Sequence, residues 1–323
     1  MNDLAQYVNV FDGIKPWAGE LPAGFTVDFI GTLIDLKFRT IYPVRPELTG
    51  GKFVQTRLPT IVDEGECWFE AVNWVEAARD ARGQFVMITL GACYGAQAVG
   101  SYRTLQLLNP MPSKFVAVEG EPENLEWMQK HMRDNGMEPD DHWLVQGAIS
   151  NSNDPVMFPV GWPGFGFQNC FATNEDLARK NYVDEIIAGG RAEEAVRNIF
   201  LKNTTGIMKN LVPGKNFVGE IKIVSAITLK DLLGPFDVVD YLESDIQQSE
   251  ILVFPPFMDM LRRKVRRILI GTHGLEVHRT LLRLFKHAGW EIVFSYAPSS
   301  NYHTPLGSFS TNDGVLTVRN PTL

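Results

Sequence analysis

The sequence predicts an α/β protein: a doubly wound, mostly parallel, seven-stranded Rossmann-like sheet with an N-terminal lead-in and a lid-like insertion. Three observations carry that expectation. An apolar run at Phe85–Leu90 turns through a glycine-bounded loop into a helical stretch ending at Leu108. Apolar strand runs and amphipathic stretches then alternate as they do in βαβ units. The alternation breaks down between Ser150 and Gly234. These features divide the chain into a lead-in over residues 1–82 and a Rossmann-like domain over 83–323, which carries an insertion at 150–234.

In the lead-in, Phe25, Val27 and Phe29, then Ile34, Leu36 and Phe38, alternate with polar residues. The pattern predicts two strand-like pieces joined around Gly31. Asp63 then opens a helix with Glu66 at the capping-box position and Trp68, Val72, Val75 and Arg79 at helical spacing. The lead-in is expected to cover part of the core or the active site, or to form a dimerisation surface.

The first domain strand reads Phe-Val-Met-Ile-Thr-Leu and runs into Gly91-Ala92-Cys93-Tyr94-Gly95, ahead of a helix with Val99, Tyr102, Leu105 and Leu108 on one face. Glycines without a Cβ adopt φ > 0 and let the backbone approach a ligand. The loop lacks the G-x-G-x-x-G of a dinucleotide site. Its spacing is similar to the first motif of class I S-adenosylmethionine-dependent methyltransferases, a similarity that implies cofactor contacts from Gly91 to Gly95. The plain alternative is a tight strand-to-helix turn.

A second strand at Lys114–Val118 ends on Glu119, before a helix over Pro122–Asn135. A carboxylate there can accept both hydroxyl protons of a ribose, or it can simply be a solvated strand end. The third strand is Trp143–Ile149, and in a methyltransferase-like fold Gln146, Gly147 and Ala148 would lie beside the adenine. Gly147 and Ala148 can equally be small because the sheet packs tightly. In the insertion, Trp162, Phe165 and Phe167 are candidates for packing on an acceptor, or for anchoring the loop itself.

The segment Ile227–Leu233, Ile-Thr-Leu-Lys-Asp-Leu-Leu, is followed by Asp240-Tyr-Leu-Glu-Ser-Asp-Ile-Gln-Gln-Ser-Glu250. Together they resemble the FkbM family of S-adenosylmethionine-dependent methyltransferases, which carry "TLDDLL" and then "DLLKIDVEGAE". Asp240, Leu242, Asp245 and Glu250 match; Glu243, Ser244 and Gln247-Gln248 stand where the family has Lys, Ile and Glu-Gly. Thr89 replaces an acidic residue often found before the glycines, and Cys93 replaces the usual loop Asn. The resemblance runs from Phe85 to Tyr296.

The basic run Arg262–Arg267 reads as the last turn of a helix, where cations face the negative helix end. A strand over Ile268–Thr272 then carries His273 at its tip, Glu276–Ala288 forms an amphipathic helix, and Trp290–Tyr296 and Gly314–Val318 close the sheet.

A net charge of −8 argues against general attraction to nucleic acid or anionic membranes. No apolar run is long enough to span a bilayer, and a cytoplasmic location is expected. Three widely spaced cysteines suggest neither a disulfide framework nor a zinc site. The resemblance implies S-adenosylmethionine as cofactor and methyl transfer to a hydroxyl of a small molecule, a natural product or sugar. His273 is expected to act as general base, with Asp245 orienting the acceptor or the methionine amine. A catalytic metal held by Asp245, Glu250, His273 and His278 ranks second, for no close ligand spacing supports it. Two other functions remain open: a nicotinamide-dependent oxidoreductase, and a cofactor-binding protein without turnover. Neither the acceptor's identity nor the oligomeric state is written in the sequence.

Overall fold

The run Phe85–Leu90 (β1) is buried at all six positions, as a strand covered on both faces must be. In the computed structural model, which describes residues 4–39, 44–161, 163–164 and 220–323, β1 is the middle of a seven-stranded sheet. The other strands are β2 (Ser113–Glu119), β3 (Trp143–Gln146), β4 (Val239–Ser244), β5 (Val265–Thr272), β6 (Glu291–Tyr296) and β7 (Gly314–Arg319). Their order is β3-β2-β1-β4-β5-β7-β6, and β7 runs antiparallel to both of its neighbours. The chain builds outward from β1 through β2 to β3, then resumes on the other side of β1 with β4. That reversal opens a crevice beyond the carboxyl ends of β1 and β4, where open α/β sheets bind ligands.

Alternate side chains on each strand enter different cores. Phe85, Met87, Phe115 and Tyr241 pack beneath α1 (Cys67–Asp80), α2 (Ala96–Leu108), α3 (Pro122–Asp134) and the lead-in. Val86, Ile88, Val116, Leu242 and Ile268 face α4 (Met258–Lys264) and α5 (Leu275–His287). The lead-in contributes an antiparallel pair, Phe25–Val27 with Leu33–Asp35, and Gly31 has φ +84° in the connection as the alternation predicted. Asn135 accepts from the Leu33 amide at 2.8 Å and donates to its carbonyl at 2.9 Å, binding this hairpin to the end of α3. Fully buried Phe38 stacks between Tyr94 and Trp127, with ring centroids 5.3 and 5.2 Å away, so the lead-in packs directly on the Gly91–Gly95 loop.

Several elements differ from the expectation. Thr60, not Asp63, caps a short helix at Ile61–Glu64, and Gly65 with φ +56° breaks it before α1. Glu66 therefore caps nothing on its own helix, and instead accepts the amides of Asn312 and Asp313 at 2.9 and 3.2 Å. The third strand leaves the main sheet at Gly147, where a Cβ would come within 2.5 Å of the Ser225 carbonyl oxygen. Ala148–Ile149 then pairs in parallel with Ala226–Ile227. Helix α4 ends at Lys264, so Arg266 and Arg267 belong to β5 and not to a helix end. There they meet Asp240 at 3.2 Å and Glu76 at 3.4 Å.

The two ends of the insertion meet as an antiparallel pair, Val156–Val160 with Glu220–Val224. In the Thr-Leu-Lys-Asp-Leu-Leu segment the Thr228 hydroxyl and the Asp231 carboxylate form a reciprocal capping box on the helix Leu229–Leu233. A hairpin of Ser300–Thr304 and Gly307–Thr311, unforeseen from the sequence, joins β6 to β7 at the carboxyl edge. Tyr302 and Phe309 stack on it, and Phe309 packs against Phe69 of α1.

Candidate active site

The site is assembled where β1, β2, β4 and β5 end. Gly91 leaves β1 with φ +77°, and a Cβ on it would lie 2.1 Å from the Asp245 carbonyl oxygen. The Asp245 amide donates to the Leu90 carbonyl at 3.0 Å. The β1 turn and the end of β4 are thus in backbone contact, and only glycine permits it. At the other end of the turn Gly95, φ +81°, sets the start of α2 against Met128. Between them Cys93 adopts φ +48° and donates its amide to Glu119 Oε2 at 2.6 Å.

Glu119 sits at the tip of β2 and is 6% exposed. Its other oxygen accepts from the Glu121 amide at 2.7 Å and from Asn124 Nδ2 at 3.4 Å. Burial raises its pKa to about 7, against the main-chain donors that lower it. Two main-chain amides hold the carboxylate in one orientation across the β1–β2 gap. Gln146 is exposed at the end of β3, while Gly147 donates its amide to the Glu119 carbonyl at 2.9 Å, so these two residues follow directly beside Glu119. Ala148 is buried in the adjoining two-stranded pair. Trp162, Phe165 and Phe167 lie outside the described residues. Just before them Phe158 covers Gly120, and Gly161 donates its amide to Glu121 at 2.6 Å.

The two sequence departures near the turn face each other. Thr89 and Glu243 are Cα partners in the β1–β4 register, and the Thr89 hydroxyl donates to Glu243 Oε2 at 2.5 Å. A hydrogen bond stands here where the FkbM pattern places an acidic residue opposite a lysine. Burial holds the Glu243 carboxyl well above the usual carboxylate range.

Asp245 and His273, named from the sequence, meet: His273 Nε2 lies 3.2 Å from Asp245 Oδ1. The hairpin brings Asp313 Oδ1 to 3.5 Å from the same nitrogen, and Glu250 Oε1 is 3.8 Å from Nδ1. The Gln247 amide bridges, 3.0 Å from Asp245 Oδ1 and 2.8 Å from His273 Nε2. Burial disfavours a charged imidazole, but Asp245, Asp313 and Glu250 together outweigh it and raise its pKa well above the ordinary value. Burial raises Asp245 to about 6 despite the opposing His273 charge. His278 is spent elsewhere, with its ring nitrogens 2.9 Å from the Thr272 hydroxyl and 3.1 Å from Ser295. Among the described residues no group of three or more His, Cys, Asp or Glu side chains is placed to hold a metal ion.

Sequence reasoning missed Glu66, Glu70 and Asp313 as neighbours of Asp245. Burial, with Asp313 and Asp245 nearby, lifts Glu66 to about 7; burial, Glu66 and Asp245 lift Glu70 to about 8. Only the aligned spacing of Glu66 and Glu70 on one helix face was visible beforehand. The folded state therefore binds protons more tightly than the unfolded chain between the ordinary carboxylate range and about pH 8, and stability falls as pH rises through that window. Buried His131 and half-buried His142, lowered to about 4, act oppositely below their ordinary 6.5. The melting temperature, followed by circular dichroism, is expected to fall as pH rises from about 5 to 8, by at least about 4 °C between pH 6 and pH 8.

No family model matches the chain. A protein described as "Putative methyltransferase" from Jannaschia sp. (strain CCS1) is 23% identical over 257 residues, 79% of this chain and 80% of that one. Among solved structures, precorrin-6y C5,15-methyltransferase from Geobacter metallireducens GS-15 is similar at a TM-score of 0.36 and 11% identity, over 77% of this chain and 86% of the other. Aeropyrum pernix fibrillarin, solved with natively bound S-adenosyl-L-methionine, is similar at a TM-score of 0.32 and 10% identity, over 73% and 67%.

Proposed function

We propose that this chain is an S-adenosylmethionine-dependent methyltransferase acting on a hydroxyl of a small molecule, a natural product or sugar. The observation that carries the reading is the Gly91–Gly95 turn, seated on the Asp245 backbone and tied through the Cys93 amide to Glu119. The relative from Jannaschia, by its description, supports methyl transfer.

The residues fit the cofactor. A Cβ at position 91 would fill the approach to the turn, and Glu119 Oε2, already bound to the Cys93 amide, keeps a lone pair for a ribose hydroxyl. Gln146, Gly147 and Ala148 stand beside Glu119 for the adenine, and Ala92, Cys93 and Tyr94 supply the loop backbone. When bound, the cofactor supplies an electrophilic methyl group on a sulfonium.

The chain's own part is to orient the acceptor and take its proton. Asp245, Asp313 and Glu250 raise the His273 pKa well above its ordinary value, so Asp245 is assigned the proton from the hydroxyl. The His273 charge opposes the burial that raises Asp245. Trp162, Phe165 and Phe167 remain candidates for contact with the acceptor. An acidic chain suits a small acceptor better than a nucleic acid. Among the described residues no helix is long and apolar enough to cross a membrane. The test is turnover: purified protein given S-adenosylmethionine with a labelled methyl group and a panel of hydroxylated small molecules is expected to release S-adenosylhomocysteine and label an acceptor oxygen. Label on carbon, or S-adenosylmethionine left intact by every acceptor despite binding, contradicts O-methylation.

A further inference from the structure

The start of the insertion is fastened to the junction of β2 and α3, the same junction that holds Glu119. Its first strand, Val156–Val160, lays Phe158 over Gly120, where a Cβ would come within 2.6 Å of the ring. Beyond that strand two main-chain amides are taken up by side chains of the junction: Gly161 donates to Glu121 Oε2 and Gly164 to Asn124 Oδ1, each at 2.6 Å. Both bonds cross 40 residues of sequence, so neither is a local turn contact. Glu121 is 3% exposed and Asn124 1% exposed. A buried amide needs a partner, and here the partners come from the element that presents Glu119.

Asn124 uses both ends of its side chain. While Oδ1 accepts the Gly164 amide, Nδ2 donates to Glu119 Oε1 at 3.4 Å. The neighbours fix that orientation, because a flipped amide would set NH2 against an N–H and its oxygen against a carboxylate. Glu119 in turn accepts the Glu121 amide at 2.7 Å on Oε1 and the Cys93 amide at 2.6 Å on Oε2. A connected set of hydrogen bonds thus runs from Gly164 through Asn124 and Glu119 to the Gly91–Gly95 turn. Glu121 is a second tie, with its amide on Glu119 and its carboxylate on Gly161. In a buried network of this kind a change at one member alters the bonds of the next.

We propose that Asn124 is a positioning residue that links the cofactor carboxylate Glu119 to the start of the insertion, so that a ligand on Glu119 and the bond to the Gly164 amide stabilise each other. The proposal rests on the methyltransferase reading and adds to it a coupling between the cofactor site and the insertion. Such coupling is reciprocal: whatever holds Gly164 in place also favours the cofactor.

The test reads both ends of the link in the full chain. Hydrogen exchange at the Gly164 amide is followed by nuclear magnetic resonance with and without saturating S-adenosylhomocysteine. In the parent the ligand is expected to slow that exchange by about fivefold or more. Calorimetric titration with the same ligand compares the parent, Asn124→Ala, Glu119→Ala and the double variant, each checked for folding by circular dichroism. Asn124→Ala is expected to weaken binding by about fivefold, the scale of one hydrogen bond to a charged group, and to abolish the ligand's effect on Gly164 at saturation. In the Glu119→Ala background the same substitution is expected to change affinity by less than about twofold, because Asn124 acts through Glu119. Asn124→Asp is the conservative comparison. It keeps an acceptor for Gly164 but removes the donor to Glu119, so affinity should fall while Gly164 exchange without ligand stays as in the parent.

Ligand-independent exchange at Gly164 in the parent, slowing that persists in Asn124→Ala, or effects of the two substitutions that simply add overturns the link and leaves the cofactor reading intact. If S-adenosylhomocysteine does not bind the parent, the cofactor reading fails and the proposal falls with it.

Discussion

Replacing Gly91 by alanine is expected to abolish detectable S-adenosylhomocysteine binding while the chain still folds. At φ +77° an L-residue carries a cost of about 1–2 kcal/mol. The contact is the larger matter, since the new methyl would lie 2.1 Å from the Asp245 carbonyl oxygen and 3.0 Å from its carbon. Neither atom belongs to a flexible side chain. Relief requires the β1 turn to move away from the end of β4, and that movement carries Ala92 and Cys93 with it. The Cys93 amide would then lose its 2.6 Å bond to Glu119, so one methyl group disturbs both proposed grips on the cofactor. The fold should survive, because the apolar strands on either side of the turn are untouched. Circular dichroism and calorimetric titration on the same sample separate the two effects; a variant that binds within threefold of the parent shows that the turn is only a strand-to-helix connection.

Asp245→Asn is expected to lower kcat by about 10²–10⁴-fold, the usual contribution of a positioned proton acceptor. Asparagine preserves size and the hydrogen bond to Gln247 and removes the charge. In the parent, kcat/KM should rise with pH through about 6 as Asp245 ionises, and this limb should vanish in the variant. His273→Ala tests the charge pairing. The His273 charge holds the Asp245 pKa down, so its removal should move the ascending limb above 6 and not abolish it. An unchanged limb in Asp245→Asn transfers the proton-accepting role to another group, and full turnover in His273→Ala ends the charge-pair account.

What could be read in advance followed from local physics. Continuous apolar strands, glycines at forced φ and the helix starts at Ala96 and Pro122 depend on neighbouring residues, and each lies where the pattern placed it. The Asp245–His273 meeting was legible because both residues end parallel strands that are adjacent in the sheet. The hairpin was not: its strands are short and rich in Ser, Thr and Asn, and only Tyr302 and Phe309 give it an apolar side. Asp313 was missed with it. Glu66 looked like a helix cap because its nearest chain neighbours suit one, but Gly65 breaks the helix and frees its carboxylate for amides 246 and 247 residues away. The basic run was misplaced by one element because the boundary between α4 and β5 falls inside it. Thr89 and Glu243 looked like two separate departures until the β1–β4 register set them opposite each other.

The measurement that bears most directly on the account is calorimetric titration of the protein and of Glu119→Ala with S-adenosylmethionine and S-adenosylhomocysteine, with NAD and ATP as controls. Selective micromolar binding of the two S-adenosyl ligands is expected, with a loss of at least about tenfold in the variant, roughly the 1.4 kcal/mol or more that a charge-assisted hydrogen bond contributes. Preference for NAD, or affinity for S-adenosylhomocysteine that Glu119→Ala leaves unchanged, would contradict it.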